Sequence, residues 1–118
     1  MHPDRLAAVA AVVTLAACAG GTTSLKPATP TPESPDQVVI YDYKFVPQTL
    51  TVPVGTTVTW VNHDTAPHTA THRTYGAEGF DTGNLANGQV YRHTFQTPGS
   101  YPYICMYHQG MTGTIIIQ

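Results

Sequence analysis

Charged side chains are scarce in this sequence. Lysine and arginine together number 5 and aspartate and glutamate 7, so charged residues are only 10% of the 118, against about 25% in an average soluble domain. The formal net charge is −2, and no basic stripe is present to neutralise phosphates, which excludes nucleic acid as the expected partner. Few charges together with many Thr, Val, Tyr and Gly favour a domain built of β-strands.

Aromatic residues are absent from the first forty positions, since the 7 Tyr, 3 Phe and 1 Trp all lie at or beyond Tyr41. Alternating apolar segments begin just before this point, near Val38. One domain is therefore predicted over residues 37–118, a length of roughly 80 residues that can bury one modest core. Residues 19–36 contain Gly, Thr, Ser and four prolines, and they are predicted to form an extended spacer.

Only two cysteines are present, and the first, Cys18, closes an N-terminal apolar stretch. Arg5 precedes the apolar run 6–17, which is too short to span a bilayer, because a spanning helix needs about 20 residues. Residues 1–18 are predicted to be a secretory signal peptide. The run ends in Leu-Ala-Ala-Cys18, which resembles the bacterial lipobox. Cys18 is therefore predicted to be lipidated and to anchor the protein to a membrane, in the periplasm or at the cell surface. The alternative is ordinary cleavage, which would leave Cys18 free or remove it.

The second cysteine, Cys105, lies deep in the predicted domain. A disulfide to Cys18 would tie a processing site to the core, so Cys105 is predicted to be a lone thiol in an exported protein. An unpaired thiol is a liability in an oxidising compartment unless something holds it. A bound metal ion would do so.

Apolar and polar residues alternate through the predicted domain, and no segment has a sustained helical period. Val39, Tyr41, Tyr43 and Phe45 predict one strand with a single buried face. Seven or eight short strands at this spacing predict an all-β fold, an antiparallel β-sandwich or barrel. The further strands are predicted at residues 50–54, 58–62, 69–72, 91–95, 101–105 and 112–118.

Segment 105–111, with the sequence CMYHQGM, places a thiolate, an imidazole and a thioether at three-residue steps between two predicted strands. Upstream, His68 lies in the loop after the strand that contains the only tryptophan. Two imidazoles, one thiolate and one weak thioether are the donor set of a blue-copper electron-transfer centre. The sequence therefore predicts one copper ion bound by His68, Cys105, His108 and Met111.

This donor set suits both oxidation states of copper. Cu(I) prefers soft sulfur and low coordination, whereas Cu(II) prefers nitrogen and a flatter arrangement. A plane of two imidazoles and a thiolate, with a distant thioether, is tolerable to both, so the ion changes state with little movement of its ligands. Taken singly, each residue has an ordinary interpretation as a loop histidine, a small buried cysteine or a methionine that fills the core. The combination, C-x2-H-x2-M before a terminal strand with Pro-His upstream, is what predicts copper.

These residues resemble the cupredoxins, the plastocyanin and amicyanin group of small blue-copper proteins. The resemblance covers nearly the whole predicted domain. The two-residue gap between His108 and Met111 resembles amicyanin, because plastocyanin and pseudoazurin have a longer gap there. The matching segments are VTWVN at 58–62, PH at 67–68, FDTG at 80–83, Phe95, and PGSY at 98–101 followed by YIC at 103–105.

The resemblance implies a Greek-key β-sandwich with copper at one end. It implies that His68, Cys105 and His108 are the equatorial ligands and Met111 the axial one. His108 would present its edge as the electron port, and redox-protein donors and acceptors would dock there through a small transient interface. The protein is expected to be a monomeric electron carrier and not an enzyme. An apolar patch around the port is expected from Ala66, Pro67, Tyr107 and the loop around Gly110.

Two departures from the family pattern lie beside the ligands. Many relatives have Asn after the first histidine, where this chain has Thr69. The threonine hydroxyl is still expected to bridge the two ligand loops, and its N–H to reach the Cys105 sulfur. Relatives also often have Pro before the second histidine, where Tyr107 stands here. The loop is therefore expected to be less constrained.

Electron transfer without substrate chemistry is the main expected function, because four protein ligands leave no open position on the metal. The alternative is copper storage or delivery without redox turnover, although the chain has only 3 Met. A third interpretation is a copper enzyme with a second site formed by His63, His72 or His93. These histidines have no metal-ligand spacing, and each is predicted to be structural or solvated.

Overall fold

The computed structural model describes residues 28–73 and 78–118. The predicted signal peptide, 1–18, and its lipidation site Cys18 lie outside the described residues, as does the first half of the predicted spacer 19–36. Residues 28–36 form no strand or helix. Among the described residues there is no helix of the length and apolarity needed to cross a membrane.

Nine strands account for the regular structure of the described residues, as the alternating pattern leads one to expect. They are connected by loops and turns, and two of them are only two residues long. The strands are β1 (Gln37–Tyr41), β2 (Lys44–Val46), β3 (Thr49–Val52), β4 (Thr57–Asn62), β5 (Thr71–His72), β6 (Phe80–Asp81), β7 (Val90–Thr94), β8 (Gly99–Ile104) and β9 (Thr112–Ile117).

The strands form two sheets with a shared core, which confirms the predicted all-β sandwich. One sheet has the order β2-β1-β4-β7 and the other has the order β3-β9-β8-β5-β6. The largest fully buried side chains, Trp60, Tyr103 and Phe95, belong to one cluster that receives residues from both sheets. The ring centroids of Trp60 and Tyr103 lie 5.8 Å apart with the rings perpendicular, an arrangement that aromatic pairs favour.

The architecture differs from the prediction in strand number and in direction. There are nine strands instead of seven or eight, and each sheet contains one parallel pair, β1 with β4 and β3 with β9. After β2 the chain crosses to the other sheet as β3 and returns as β4, so β4 runs beside β1 in the same direction. An alternating pattern does not show which strand lies next to another, and on β1 it is Val38 and Ile40 that belong to the core cluster.

The single strand predicted through Tyr43 is wrong, because the chain reverses there and forms the β1–β2 hairpin. Asp42 and Tyr43 have positive φ values of 52° and 58°, as in the two-residue turns that suit the twist of paired strands. Both of their backbone N–H groups donate to the carboxylate of Asp64, at 2.7 and 3.0 Å. Ile40 and Phe45 are cross-strand partners and share the buried face, so the single face predicted for Val39, Tyr41, Tyr43 and Phe45 is wrong.

Gly113 allows β9 to pack against the ring of Tyr103, its partner across the β8–β9 pair. A Cβ atom on Gly113 would lie 2.9 Å from Tyr103 Cε2 and closer still to Cζ and the hydroxyl. Because Tyr103 is only 1% exposed, its ring has no room to move aside. Gly113→Ala is expected to lower the free energy of unfolding by about 1–3 kcal/mol, measured by urea denaturation. The exposed Ser100→Ala on β8 is the control, with an expected change within about 0.5 kcal/mol; equal values for both would contradict the packing argument.

Three segments that matter for the site lie at one end of the sandwich. Each segment comes directly after the end of a strand: β4 ends at Asn62, β8 ends at Ile104, and β1 ends at Tyr41. The loops that leave these strands are 63–70, 105–111 and the turn at 42–43.

Candidate metal centre

Three of the four predicted ligands converge at this end of the sandwich. The sulfur of Cys105 lies 3.7 Å from Nδ1 of His68 and 3.5 Å from Nδ1 of His108. The three potential ligand atoms all lie within 4.8 Å of one another. Cys105 and His68 are buried, whereas His108 is partly exposed. The fold therefore brings His68 close to Cys105 and His108, which are far from it in the sequence.

The loop that carries His68 is held by backbone pairing and by one buried amide. His68 and Leu85 form an isolated antiparallel bridge, with N–H to carbonyl distances of 3.0 and 2.8 Å. The side-chain nitrogen of Asn62, at the end of β4, donates to the carbonyls of Ala66 and Leu85 at 2.9 and 2.8 Å. Buried hydrogen bonds of this kind fix the position of a loop, because breaking them leaves unsatisfied groups.

The loop that carries the other predicted ligands is short and closed on itself. The N–H of Cys105 donates to the carbonyl of Met111 at 3.0 Å, and the N–H of Met111 donates to the carbonyl of His108 at 3.3 Å. Met111 is 4% exposed. The backbone thus places Met111 beside Cys105 and His108, on the buried side of the loop.

Thr69 links the two loops in the way that was expected for a threonine at this position. Its backbone N–H donates to the Cys105 sulfur at 3.4 Å. Its hydroxyl accepts a hydrogen bond from the N–H of Met106 at 2.8 Å. Thr69 therefore makes both of the contacts expected of it.

Asp64 is the main feature of the site that the sequence did not reveal. Its Oδ2 lies 2.7 Å from Nε2 of His68, which leaves Nδ1 of that ring facing Cys105. A histidine ligand usually donates its second ring N–H to such a partner, which sets the ring orientation. Burial by itself raises the pKa of Asp64, but hydrogen bonds from the backbone of Tyr43 and Asp42 and from His68 outweigh this and hold the pKa below its ordinary value.

The ring of Tyr43 lies against both candidate imidazoles. It makes perpendicular contacts with His68 and His108, at centroid distances of 5.3 and 4.8 Å, while 52% of the residue is exposed. This contact was not predicted, because the alternating pattern placed Tyr43 in a continuous strand.

Tyr107 connects its loop to a neighbouring segment. Its hydroxyl donates to Oδ1 of Asn84 at 3.1 Å. Asn84 immediately precedes Leu85, the residue that bridges to His68. The side chain of Tyr107 therefore connects the His108 loop to the segment that supports His68.

The remaining described histidines lie apart from this group. His72 is 3% exposed and its Nδ1 bonds to the carbonyl of Pro102, whereas Nε2 of His93 lies 3.3 Å from Oε1 of Glu78. His63 is exposed. Within residues 28–73 and 78–118, the group of His68, Cys105 and His108 is the one set of three or more His, Cys, Asp or Glu side chains with the geometry for a metal ion.

The donor set fits copper. One thiol and two imidazole nitrogens with accessible lone pairs meet in a mostly buried position, and no carboxylate oxygen belongs to the group. Soft sulfur combined with imidazole suits a copper ion that changes oxidation state, whereas Mg²⁺ and Ca²⁺ require oxygen ligands.

Comparison with known proteins agrees with this geometry. Residues 6–117 match the family model described as a cupredoxin-like domain. The chain is 32% identical over 114 residues to amicyanin-alpha from Methylorubrum extorquens, covering 95% of this chain and 94% of the relative. It is 37% identical over 84 residues to plastocyanin from Scenedesmus fuscus, covering 63% of this chain and 86% of the relative.

A solved structure with the same fold belongs to a much longer protein. A copper-containing nitrite reductase from Thermus scotoductus superposes with a TM-score of 0.67 and 36% identity. The match covers 80% of this chain but only 24% of the reductase. That likeness therefore concerns one part of the enzyme and does not transfer its reaction.

Proposed function

We propose, on the premise that this chain belongs to the cupredoxin family, that it carries single electrons between redox partners outside the cytoplasm. The single observation that carries the proposal is the convergence of His68, Cys105 and His108 at one end of a β-sandwich. The cofactor is one copper ion, as predicted, and the protein is an electron carrier, like its amicyanin and plastocyanin relatives, and not an enzyme.

The ligand assignment extends the observed group by one residue. His68, Cys105 and His108 would bind the ion through Nδ1, Sγ and Nδ1, and Met111 would supply a weak fourth ligand through its thioether. The backbone hydrogen bond between Cys105 and Met111 supports this assignment. Met111 is also buried in the same loop.

The role of the protein in this mechanism is to hold the metal ligands in place. When bound, copper supplies the one-electron couple. Asp64 holds the ring of His68, Thr69 donates its N–H to the Cys105 sulfur, and the closed loop holds His108. Because these contacts would hold the ligands in one arrangement, little nuclear movement would accompany a change in the oxidation state of the ion.

The surface around His108 suits brief contact with a redox protein. Tyr107 and Met106 are 50% and 46% exposed, and Tyr43 is 52% exposed. A small apolar area of this kind supports weak, rapidly reversible encounters, typically below about 1,200 Å² in total. We propose that donors and acceptors dock here, with the partly exposed His108 as the port and the protein as a monomer. Ala66, Pro67 and Gly110 complete the proposed patch.

Loading the purified protein with copper tests the function directly. One equivalent of Cu(II) is expected to give an intense blue colour, because a thiolate bound to Cu(II) produces a strong charge-transfer band, and to be reduced and reoxidised reversibly in voltammetry. A colourless complex that releases its copper to a chelator within minutes would overturn the carrier proposal and favour storage or delivery.

Membrane attachment through Cys18 is part of the same proposal. A signal peptide over residues 1–18 that ends in a lipobox-like site, followed by an extended spacer over 19–36, would let the domain, 37–118, reach partners near a membrane surface. Cys18→Ser is expected to move the expressed protein from the membrane fraction to the soluble fraction, since it removes the lipid acceptor. Immunoblotting of fractionated cells measures this. Unchanged membrane association of the variant would contradict lipidation at this position.

A further inference from the structure

A chain of side-chain hydroxyls connects the candidate metal centre to an exposed carboxylate. Oγ1 of Thr69 lies 3.1 Å from Oγ1 of Thr71, and the hydroxyl of Thr71 donates to Oδ1 of Asp81 at 3.1 Å. Thr69 and Thr71 are 4% and 2% exposed, whereas Asp81 lies at the surface. The chain therefore begins in the ligand loops and ends at the sheet edge, on β6.

The direction of these hydrogen bonds is fixed by the groups at the two ends. A backbone N–H can only donate, so Met106 donates to Thr69. An ionised carboxylate can only accept, so Thr71 donates its single proton to Asp81, and Thr69 must then donate to Thr71. A chain ordered in this way strengthens each bond, because the terminal charge polarises the hydroxyls in turn.

Strand pairing places the terminal carboxylate. Thr71 on β5 and Asp81 on β6 are direct partners across the antiparallel pair. Oδ1 of Asp81 also accepts the N–H of Gly83 at 2.9 Å. The carboxylate is thereby held by a turn on one side while it receives the hydroxyl chain on the other.

We propose that Asp81 is a positioning residue of the copper site, acting through Thr71 and Thr69 on the peptide that joins Cys105 to Met106. This inference rests on the proposed function, since it concerns the loop that supplies Cys105, His108 and Met111. The chain orients the Thr69 hydroxyl toward Met106, which holds the start of the ligand loop against the His68 loop. The same arrangement keeps in place the hydrogen bond from the Thr69 N–H to the Cys105 sulfur.

The competing interpretation is that Thr71 and Asp81 only stabilise the β5–β6 pair. Thr82→Val is a control for that effect, because the Thr82 hydroxyl accepts the N–H of Ala70 at 2.9 Å in the same region without joining the chain. Asp81→Asn is the conservative variant, since its amide oxygen can still accept from Thr71. Asp81→Ala and Thr71→Val break the chain at its end and at its middle.

Two measurements on the full chain separate these interpretations. In the copper-free protein, amide hydrogen exchange at Met106 is expected to accelerate roughly five- to tenfold in Thr71→Val and Asp81→Ala, relative to Thr82→Val. In the copper-loaded protein, copper release to a chelator is expected to accelerate about tenfold in the same variants, the lower end of the loss seen when groups behind metal ligands are removed. Asp81→Asn is expected to restore most of both.

The outcomes distinguish this inference from the proposed function. Exchange and release that match Thr82→Val in both chain-breaking variants would overturn the positioning role, even if the protein binds copper and is blue. Faster exchange at Met106 in a protein that binds no copper would overturn the proposed function and leave the hydroxyl chain established. Should Asp81→Ala fail to fold, Thr71→Val and Asp81→Asn give the same comparison.

Discussion

Cys105→Ser is expected to abolish the blue absorption of the copper-loaded protein and its reversible electron transfer. The thiolate supplies both the strong charge-transfer band and the soft donor that makes Cu(I) and Cu(II) comparably stable, and a serine hydroxyl supplies neither. The fold is expected to persist, because the serine oxygen fits the space of the sulfur and can accept the N–H of Thr69 that now reaches Sγ at 3.4 Å. Absorption spectroscopy and voltammetry measure the loss.

The other cysteine gives a matched control for this experiment. Cys18→Ser makes the same chemical change far from the site in the sequence, and it is expected to leave the colour and the reduction potential unchanged. Circular dichroism of both variants checks that the sandwich is intact. A Cys105→Ser protein that keeps its blue band would contradict the ligand assignment, whether or not the fold is intact.

Asp64→Ala is expected to lower the free energy of unfolding of the copper-free protein by roughly 3 kcal/mol, since it removes one acceptor from three donors. The variant leaves Nε2 of the fully buried His68 ring without its acceptor, and a buried unsatisfied donor costs about 1–3 kcal/mol. It also removes the carboxylate that accepts the N–H groups of the exposed turn, at Asp42 and Tyr43. Copper affinity is expected to fall about 10–100-fold, because the His68 ring loses the group that orients it. Urea denaturation and competition with a copper chelator give the two values.

Asp36→Ala, a carboxylate removed at the start of the domain, is the control and is expected to leave copper affinity unchanged. Asp64→Asn is expected to fall between the control and Asp64→Ala, because its amide oxygen still accepts one hydrogen bond while its nitrogen faces donors. Wild-type copper affinity in Asp64→Ala would show that the His68 ring needs no anchoring.

Acid provides a second measurement at the same residue. The pKa of Asp64 is lower in the folded protein than its ordinary value, so the carboxylate contributes stability above the unfolded pKa of about 3.9. That contribution is lost as the pH falls further, toward the folded pKa. Asp64→Asn is therefore expected to show a shallower loss of stability below about pH 4 than the wild type, measured by thermal denaturation of the copper-free protein.

The candidate ligands could be proposed from the sequence because their spacing is chemically distinctive. Cys105, His108 and Met111 stand three residues apart in one short loop, and His68 follows a proline in the loop after a strand. In the structure the side chains of His68, Cys105 and His108 lie close together. Because a thiolate, two imidazoles and a thioether occur together at few kinds of protein site, the sequence alone leaves few alternatives to copper.

The supporting residues were not predictable in the same way. Asp64 and Asn84 are ordinary loop residues in the sequence, and their importance depends on which loops meet in space. The alternating apolar residues from Val39 to Phe45 were compatible with one strand, and nothing in that pattern marks the turn that places Phe45 on the same face as Ile40. The parallel pairing of β1 with β4 likewise depends on the route of the chain between sheets, which no local pattern records.

The β1–β2 turn has an unfavourable backbone conformation directly beside the candidate metal centre. A turn with two positive φ values is best suited by Asn-Gly or Asp-Gly, and a bulky residue in this conformation is unfavourable by about 1–2 kcal/mol. Here Asp42 satisfies the preference, but position 43 is a tyrosine. Glycine at 43 would relax the backbone, but it would also remove the aromatic ring that lies against the imidazoles of His68 and His108. The unfavourable conformation at position 43 therefore keeps a solvent-shielding ring over both side chains.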